Sequence, residues 1–359
     1  MYKRITLKIG SNVLALPGGH PNEPRMALLA EQIVALRSRG MEVLLVSSGA
    51  VASGRRMIET PKAGDAVSCR QLWAAVGQVH LIGKYCELFA MHHTLCAQVL
   101  ATKEDFRDRR HFLNMRNCLE TLLRNSVLPI INENDVVSVT ELMFTDNDEL
   151  SGLIADMTGS DALIILTNVD GIYDGHPSDP RSKVIPLIEP ENAAACRAIA
   201  PVKSDFGRGG MVTKFSIAKK VAASGTPVHI ANGFTDHILL HIAEQKAGTL
   251  QTVFAPGRKA TPFKKWLAHS DGEVKGAVRI NRGAAERLLG SQAASLLPVG
   301  VTRVDGDFRS GDIIRVTDEQ GNLIGWGRTE YNADAARKKA GERNNKPLIR
   351  YDYLYLKQE

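Results

Sequence analysis

Short apolar runs alternate with longer stretches of helical period along the first 255 residues. ITLKI (5–9), EVLLV (42–46), TLCAQVLAT (94–102), VLPIINEND (127–135), ALIILT (162–167), PVHIAN (227–232) and TLQTVFA (249–255) read as strands. Between them, residues 25–39 place Met26, Leu29, Ile33 and Leu36 at helical spacing before Gly40. Residues 69–92 and 111–125 carry the same period, and Asp146 or Asn147 can cap a helix reaching about Met157. Residues 191–200 read as helix, a further helix ends at Gly225, and another lies near 235–246. Strands alternating with helices predict an α/β unit over residues 1–260, an open and largely parallel sheet with helices on both faces.

The texture changes after about residue 260. From Gly272, short β-like runs (AVRI, GVTRVDG, DIIRVTD, LIGWGRT) are separated by Gly-Asp, Asp-Gly and Gly-Asn turns, with a short helix at 283–289. A small, mostly β module over residues 272–355 is expected. Arg337, Lys338 and Lys339 follow three alanines and read as a solvated helix face.

Composition narrows the class. Hydrophobic content of 44% with 23% charged residues fits a globular protein, and no apolar run approaches the roughly 20 residues needed to cross a bilayer. The start MYKRITLKIG goes straight into a strand pattern without a signal-peptide core, so a cytoplasmic protein is expected. Five scattered cysteines without a C-x-x-C read as reduced core thiols, and ten histidines without H-E-x-x-H give little support to a dedicated metal site. A net charge of +6 suits anionic ligands such as nucleotides without demanding nucleic acid.

The candidate chemistry gathers at strand ends. Lys8 with Gly10 and Ser11, Ser47 with Ser48 and Gly49, Asn132 to Asp135, and Thr167 with Asn168 each follow a strand, and parallel strands direct such ends to one edge. Asp146, Asn147 and Asp148 open one helix. The run Gly207 to Lys214 opens another: GRGGMVTK has three glycines in four positions, then a lysine where a phosphate would sit at a helix N-terminus. It is not a P-loop, because Thr213 precedes the lysine in place of glycine. Taken singly, each cluster is explained by a polar loop, and Lys8 by an edge lysine reaching solvent. Together, two lysines, glycine-rich turns and carboxylates suit phosphoryl transfer, which needs charge neutralisation and alignment.

LKIGSNVL, VSSGA, INENDVV, TDNDELS, LTNVDGIY and GRGGMVTK, in that order over residues 5–214, resemble the motifs of the glutamate 5-kinases of the amino acid kinase superfamily. The tail, including LLPVGVTRVDGDFRSGD, resembles the PUA domain. The resemblance implies ATP-dependent phosphorylation of the γ-carboxylate of L-glutamate, at the start of proline biosynthesis, with Mg²⁺ on the phosphates. It implies that Lys8 and Lys214 contact phosphate and that Asp148 orients them. It assigns Ser48, Gly49, Asp135 and Asn147 to glutamate. Lys8, Gly10, Thr167, Asn168, Arg208, Gly209, Gly210, Met211, Val212, Thr213 and Lys214 fall to the nucleotide. Asn168 stands where the family usually has Asp, and Arg208 where it usually has Thr. Proline as a feedback inhibitor, a homo-oligomer, and RNA at the PUA-like module are partners the resemblance also suggests. Two alternatives stay open: a kinase of acetylglutamate, aspartate or carbamate, and an RNA-binding or RNA-modifying protein.

Overall fold

The computed structural model describes residues 2–16, 20–58, 64–138, 144, 146–177, 179–189, 210–257, 274–290 and 294–356. The chain divides into two compact units, Met1–Asp105 with Arg110–Lys259, and Phe106–Arg109 with Ala260–Glu359. The elements run β1 (Arg4–Ile9), α1 (Ser11–Leu14), α2 (Glu23–Ser38), β2 (Glu42–Ser47), α3 (Ala50–Met57), α4 (Ala66–Ala90), β3 (Cys96–Ala101), α5 (Glu104–Arg107), α6 (Arg109–Arg124), β4 (Leu128–Glu133), α7 (Asn147–Thr158), β5 (Ala162–Thr167), β6 (Leu187–Ile188), α8 (Met211–Ala223), β7 (Val228–Asn232), α9 (Ile238–Ala243) and β8 (Gln251–Phe254).

The sheet of the first unit has the order β3-β4-β2-β1-β5-β7-β8-β6. β3, β4, β2, β1, β5 and β7 are parallel neighbours, whereas β8 pairs antiparallel with β7 and carries β6 alongside it. The central strands are buried over nearly their whole length, as expected when helices cover both faces. Alternation along β1 sorts its residues. Ile5, Leu7 and Ile9 join one core with Met26, Leu29 and Ile33 of α2. Leu163 and Ile165 of β5 pack on the opposite face with Phe215, Ala218 and Val221 of α8. Thr6 and Lys8 therefore point away from α2, and the Thr6 hydroxyl lies 2.9 Å from that of Ser160, just past α7.

α3 and α4 meet backbone to backbone. A Cβ on Gly54 would fall 1.8 Å from the Trp73 carbonyl oxygen, and one on Gly77 would fall 1.9 Å from that of Ala50. Any side chain at either position would force the helices apart and carry Ser48 and Gly49, which lead into α3, away from α4.

The second unit adds β9 (Gly276–Ile280), α10 (Arg282–Leu289), β10 (Val301–Gly306), β11 (Ile313–Thr317), β12 (Leu323–Thr329), α11 (Ala333–Lys339) and β13 (Ile349–Leu356). These strands form a sheet of order β10-β9-β11-β12-β13, in which only β9 and β11 run parallel among the described residues. Val278, Ile280, Ile314, Val316, Leu288 and Leu354 fill its core.

Two points depart from the sequence pattern. The four described cysteines are free, but Cys86 and Cys118 are exposed and Cys69 and Cys96 half-buried, so none of these four is a core thiol. Two strands, β6 and β13, have no counterpart in the sequence pattern. The helix expected over 191–200 lies outside the described residues. Among those described, no helix is long and apolar enough to cross a membrane.

Candidate active site

The register of the sheet aligns the ends of its parallel strands. Val46 pairs with Ile131 and Ile9 with Ser47, so Asn132 and Ser47 end adjacent strands. On the other side, Ile9 pairs with Leu166 and Thr167 with Asn232. Beyond β1, Gly10 N donates to Leu166 O at 3.0 Å, fastening the turn to β5. A Cβ at Gly10 would crowd that carbonyl at 3.1 Å and stand 3.7 Å from Lys8 Nζ. The bare backbone at Gly10 thus leaves room beside the ammonium.

α7 begins at this edge. The Asp146 side chain accepts from the backbone N–H groups of Asp148 (2.9 Å) and Glu149 (3.1 Å), satisfying two donors that a first helical turn leaves open. The cap sets the turn so that Asp148, fully buried, faces the sheet. Its two carboxylate oxygens divide between two lysines: Lys8 Nζ lies 2.5 Å from Oδ1 and Lys214 Nζ 2.9 Å from Oδ2. Lys8 reaches it because strand alternation turns that side chain to the α7 face. Lys214 comes from the first turn of α8, whose cap residue Gly210 contributes no side chain and whose first turn holds no acid. The N–H groups of Met211, Val212 and Thr213, which a first helical turn leaves without an acceptor inside the helix, and the lysine make that helix end positive.

The lysines are 4% and 8% exposed, so the triad is nearly dry, with two positive charges and one negative. Burial alone would raise the Asp148 carboxyl, but Lys8 and Lys214 outweigh it and hold it down at about 2. Asp146 goes the other way. Burial, followed by the charge on Asp148, pushes it up to about 6. Its Oδ2 is buried without a hydrogen-bond partner among the described residues.

A second group lies at the start of the same helix. Asn147 Nδ2 donates to Ser48 Oγ (2.9 Å), Ser47 O (3.1 Å) and Asn132 Oδ1 (3.0 Å), while its own Oδ1 is buried with no partner among the described residues. Asn132 Nδ2 donates in turn to Gln78 Oε1 of α4 at 2.7 Å. Gly49 holds φ at +112°, a left-handed turn that suits glycine and starts α3. Asp135, 8% exposed, forms an ion pair with Arg70 of α4.

The structure thus joins Lys8, Asp148 and Lys214 with Gly10, and joins Ser48 with Asn147 beside Gly49. Thr167 ends β5 next to Leu166, and Asn168 is exposed, accepting only a long contact from Thr167 Oγ1 at 3.3 Å among its described side-chain bonds. Arg208 and Gly209 lie outside the described residues. Sequence reasoning misses Arg70 and Gln78. Both lie on α4 eight positions apart, near the buried positions Ala74, Gly77, Leu81 and Tyr85. Polar residues on the buried side of a helix are the available signal. Among the described residues, no group of three His, Cys, Asp or Glu side chains could hold a metal ion.

A nearly dry lysine–aspartate–lysine bridge stands at the carboxyl ends of the parallel strands, an arrangement whose charge suits a phosphoryl group. Residues 3–232 match the amino acid kinase family and residues 276–348 the PUA domain. The chain belongs to the amino acid kinase family, and it is a kinase. Along its whole length it is 50% identical to the glutamate 5-kinase of Bacteroides thetaiotaomicron, over 99% of both chains. It is 48% identical to that of Chlorobaculum tepidum, over 99% of this chain and 98% of the other. Among solved structures, an isopentenyl phosphate kinase in a substrate complex superposes with a TM-score of 0.51 at 16% identity, covering 70% of this chain and 99% of that one, a likeness of fold alone.

Proposed function

We propose that the chain catalyses ATP-dependent phosphorylation of the γ-carboxylate of L-glutamate, giving glutamyl 5-phosphate for proline synthesis. The observation that carries the chemistry is the Lys8–Asp148–Lys214 bridge. A carboxylate substrate is already a nucleophile at neutral pH, so no general base is required. What it lacks is relief from repulsion by the γ-phosphate. Two buried ammonium groups held by one carboxylate supply that relief, one toward the transferring phosphoryl and one toward the leaving ADP oxygen. Asp148 keeps them together before substrate arrives, so little reorganisation accompanies transfer. The ATP phosphates would also meet the open N–H groups at the start of α8.

The choice of glutamate rests on the second group and on the relatives. Asp135 would take the substrate ammonium, and its partner Arg70 can turn a donor to the α-carboxylate. Ser48 and Asn147 would orient the chain that carries the γ-carboxylate. Mg²⁺, which when bound neutralises phosphate charge, would be held mainly by the nucleotide and water, because the described residues offer no three-ligand cage.

A hydroxamate assay with ATP and a panel of acidic acceptors tests this reading. Glutamate should be the preferred acceptor, and N-acetylglutamate, which lacks the ammonium, should be poor. Equal turnover of the two would remove Asp135 from substrate recognition.

A further inference from the structure

Outside the catalytic edge, two thiols meet. Cys86 Sγ, near the end of α4, lies 3.2 Å from Cys96 Sγ, at the first position of β3. We infer that Cys86 and Cys96 form a reversible intramolecular disulfide with small-molecule disulfide oxidants, a staple between the end of α4 and the edge strand. From 3.2 Å, the sulfurs need to approach by only about 1.1 Å to reach a bond length of about 2.05 Å. Cys69 and Cys118 have no thiol neighbour among the described residues.

The surroundings set the order of events. Cys86 is exposed and Cys96 half-buried, and the turn between them is open to solvent, with Met91 and Leu95 66% and 69% exposed. Cys86 is therefore the thiol a small disulfide meets first. Its thiolate attacks one sulfur of oxidised glutathione and expels one glutathione thiolate, leaving a mixed disulfide. Cys96, its proton lost to solvent, then attacks the Cys86 sulfur and expels the second. Two protein thiols lose two protons and two electrons, and the small disulfide is reduced to two thiols. Burial, then the neighbouring Cys86 thiol, pushes Cys96 up to about 12, so it is a poor first attacker. Once Cys86 is capped, the contribution of that thiol disappears, and the charge of Arg37 nearby favours the Cys96 thiolate.

The consequence is mechanical. Leu81, Tyr85 and Phe89 already seat α4 on the core, and Cys96 pairs in register with Leu128 at the amino end of β4. A bond here closes a short loop across the turn at the amino end of the strands. The lysine bridge lies at the opposite, carboxyl end. The bond should therefore stiffen the fold without altering the chemistry.

The test equilibrates the full-length protein in buffers of rising oxidised-to-reduced glutathione ratio, followed by acid quench, alkylation and mass spectrometry. The expected product has lost two hydrogens, with one cross-linked peptide pair containing Cys86 and Cys96. Its thermal midpoint should be higher by a few degrees and return on reduction. Cys86→Ser and Cys96→Ser should each abolish the internal bond, Cys96→Ser leaving a stable glutathione adduct on Cys86, whereas Cys118→Ser should change nothing. Because serine could disturb packing, Cys86→Ala is read beside it. The inference is overturned if both thiols stay free to alkylation at every ratio. It is equally overturned if the bond joins other cysteines or two chains, or if oxidation leaves the midpoint unmoved.

Discussion

Replacing Asp148 by asparagine keeps its shape and removes one charge from a nearly dry site. The two lysines stay close to each other, because β1 and α8 bring both to one position, within 2.5 and 2.9 Å of the wild-type carboxylate. Two ammonium groups roughly 6 Å apart repel by about 3 kcal/mol at an effective dielectric of about 20. That agrees with the roughly 3–5 kcal/mol lost when one partner of a buried ion pair is removed. Asp148→Asn should therefore lower the unfolding midpoint of the first unit by about 6–12 °C, at about 2–4 °C per kcal/mol. Thermal unfolding by circular dichroism at neutral pH measures it. The double variant Lys8→Met with Asp148→Asn should recover part of the loss, since only one unpaired ammonium remains. ATP should narrow the gap between wild type and Asp148→Asn, because its phosphates supply the missing negative charge. Turnover should fall sharply in the single variant. A stability within about 0.5 kcal/mol of wild type, with no recovery in the double variant, would refute the reasoning.

Two further predictions follow from charges that share this edge. Arg70→Gln should raise the KM for glutamate about 10–100-fold with a smaller change in kcat, since one charge-assisted contact remote from the transferring phosphoryl is lost; an unchanged KM would leave Arg70 a purely structural partner of Asp135. Asp146 has a folded pKa raised from 3.8 to about 6, so its ionisation weakens the fold as pH rises through that window. Asp146→Asn, which keeps the capping oxygen, should stabilise the unliganded protein above about pH 6, and the advantage should fade as pH drops toward 4, as denaturant titrations at several pH values will show. The Asp148 contribution has the opposite sign. Its pKa is depressed to about 2, so its stabilisation is present above about pH 4 and is lost on acidification.

Much of the site is legible in the sequence because its residues sit at the ends of strands that a continuous apolar pattern betrays. Lys8 stands out as a charge inside such a strand, between Leu7 and Ile9, and alternation alone turns it to the face opposite both. The glycine-rich run before Lys214 marks a helix start suited to an anion in the same way, and α8 does begin just after Gly210.

Other features leave no local trace. Arg70 and Asp135 are separated by 65 positions, and nothing in either segment names the other. The strand at Gln251–Phe254 runs antiparallel to β7, a direction that depends on the connection and not on the residues. β6 has two residues, too few to show a period. Residue type alone assigns the cysteines to the core, whereas Cys86 sits on the solvent side of a helix whose buried stripe passes through Tyr85 and Phe89.

The central claim is that Lys8 and Lys214 stabilise the transferring phosphoryl group. Steady-state kinetics of Lys8→Ala and Lys214→Ala, on samples shown to be folded by circular dichroism, test it most directly. Each should lose about 10²-fold or more in kcat, as expected when one preorganised charge worth a few kcal/mol is removed, while the KM for ATP changes less. Folded variants that turn over glutamate at near wild-type kcat would contradict the account.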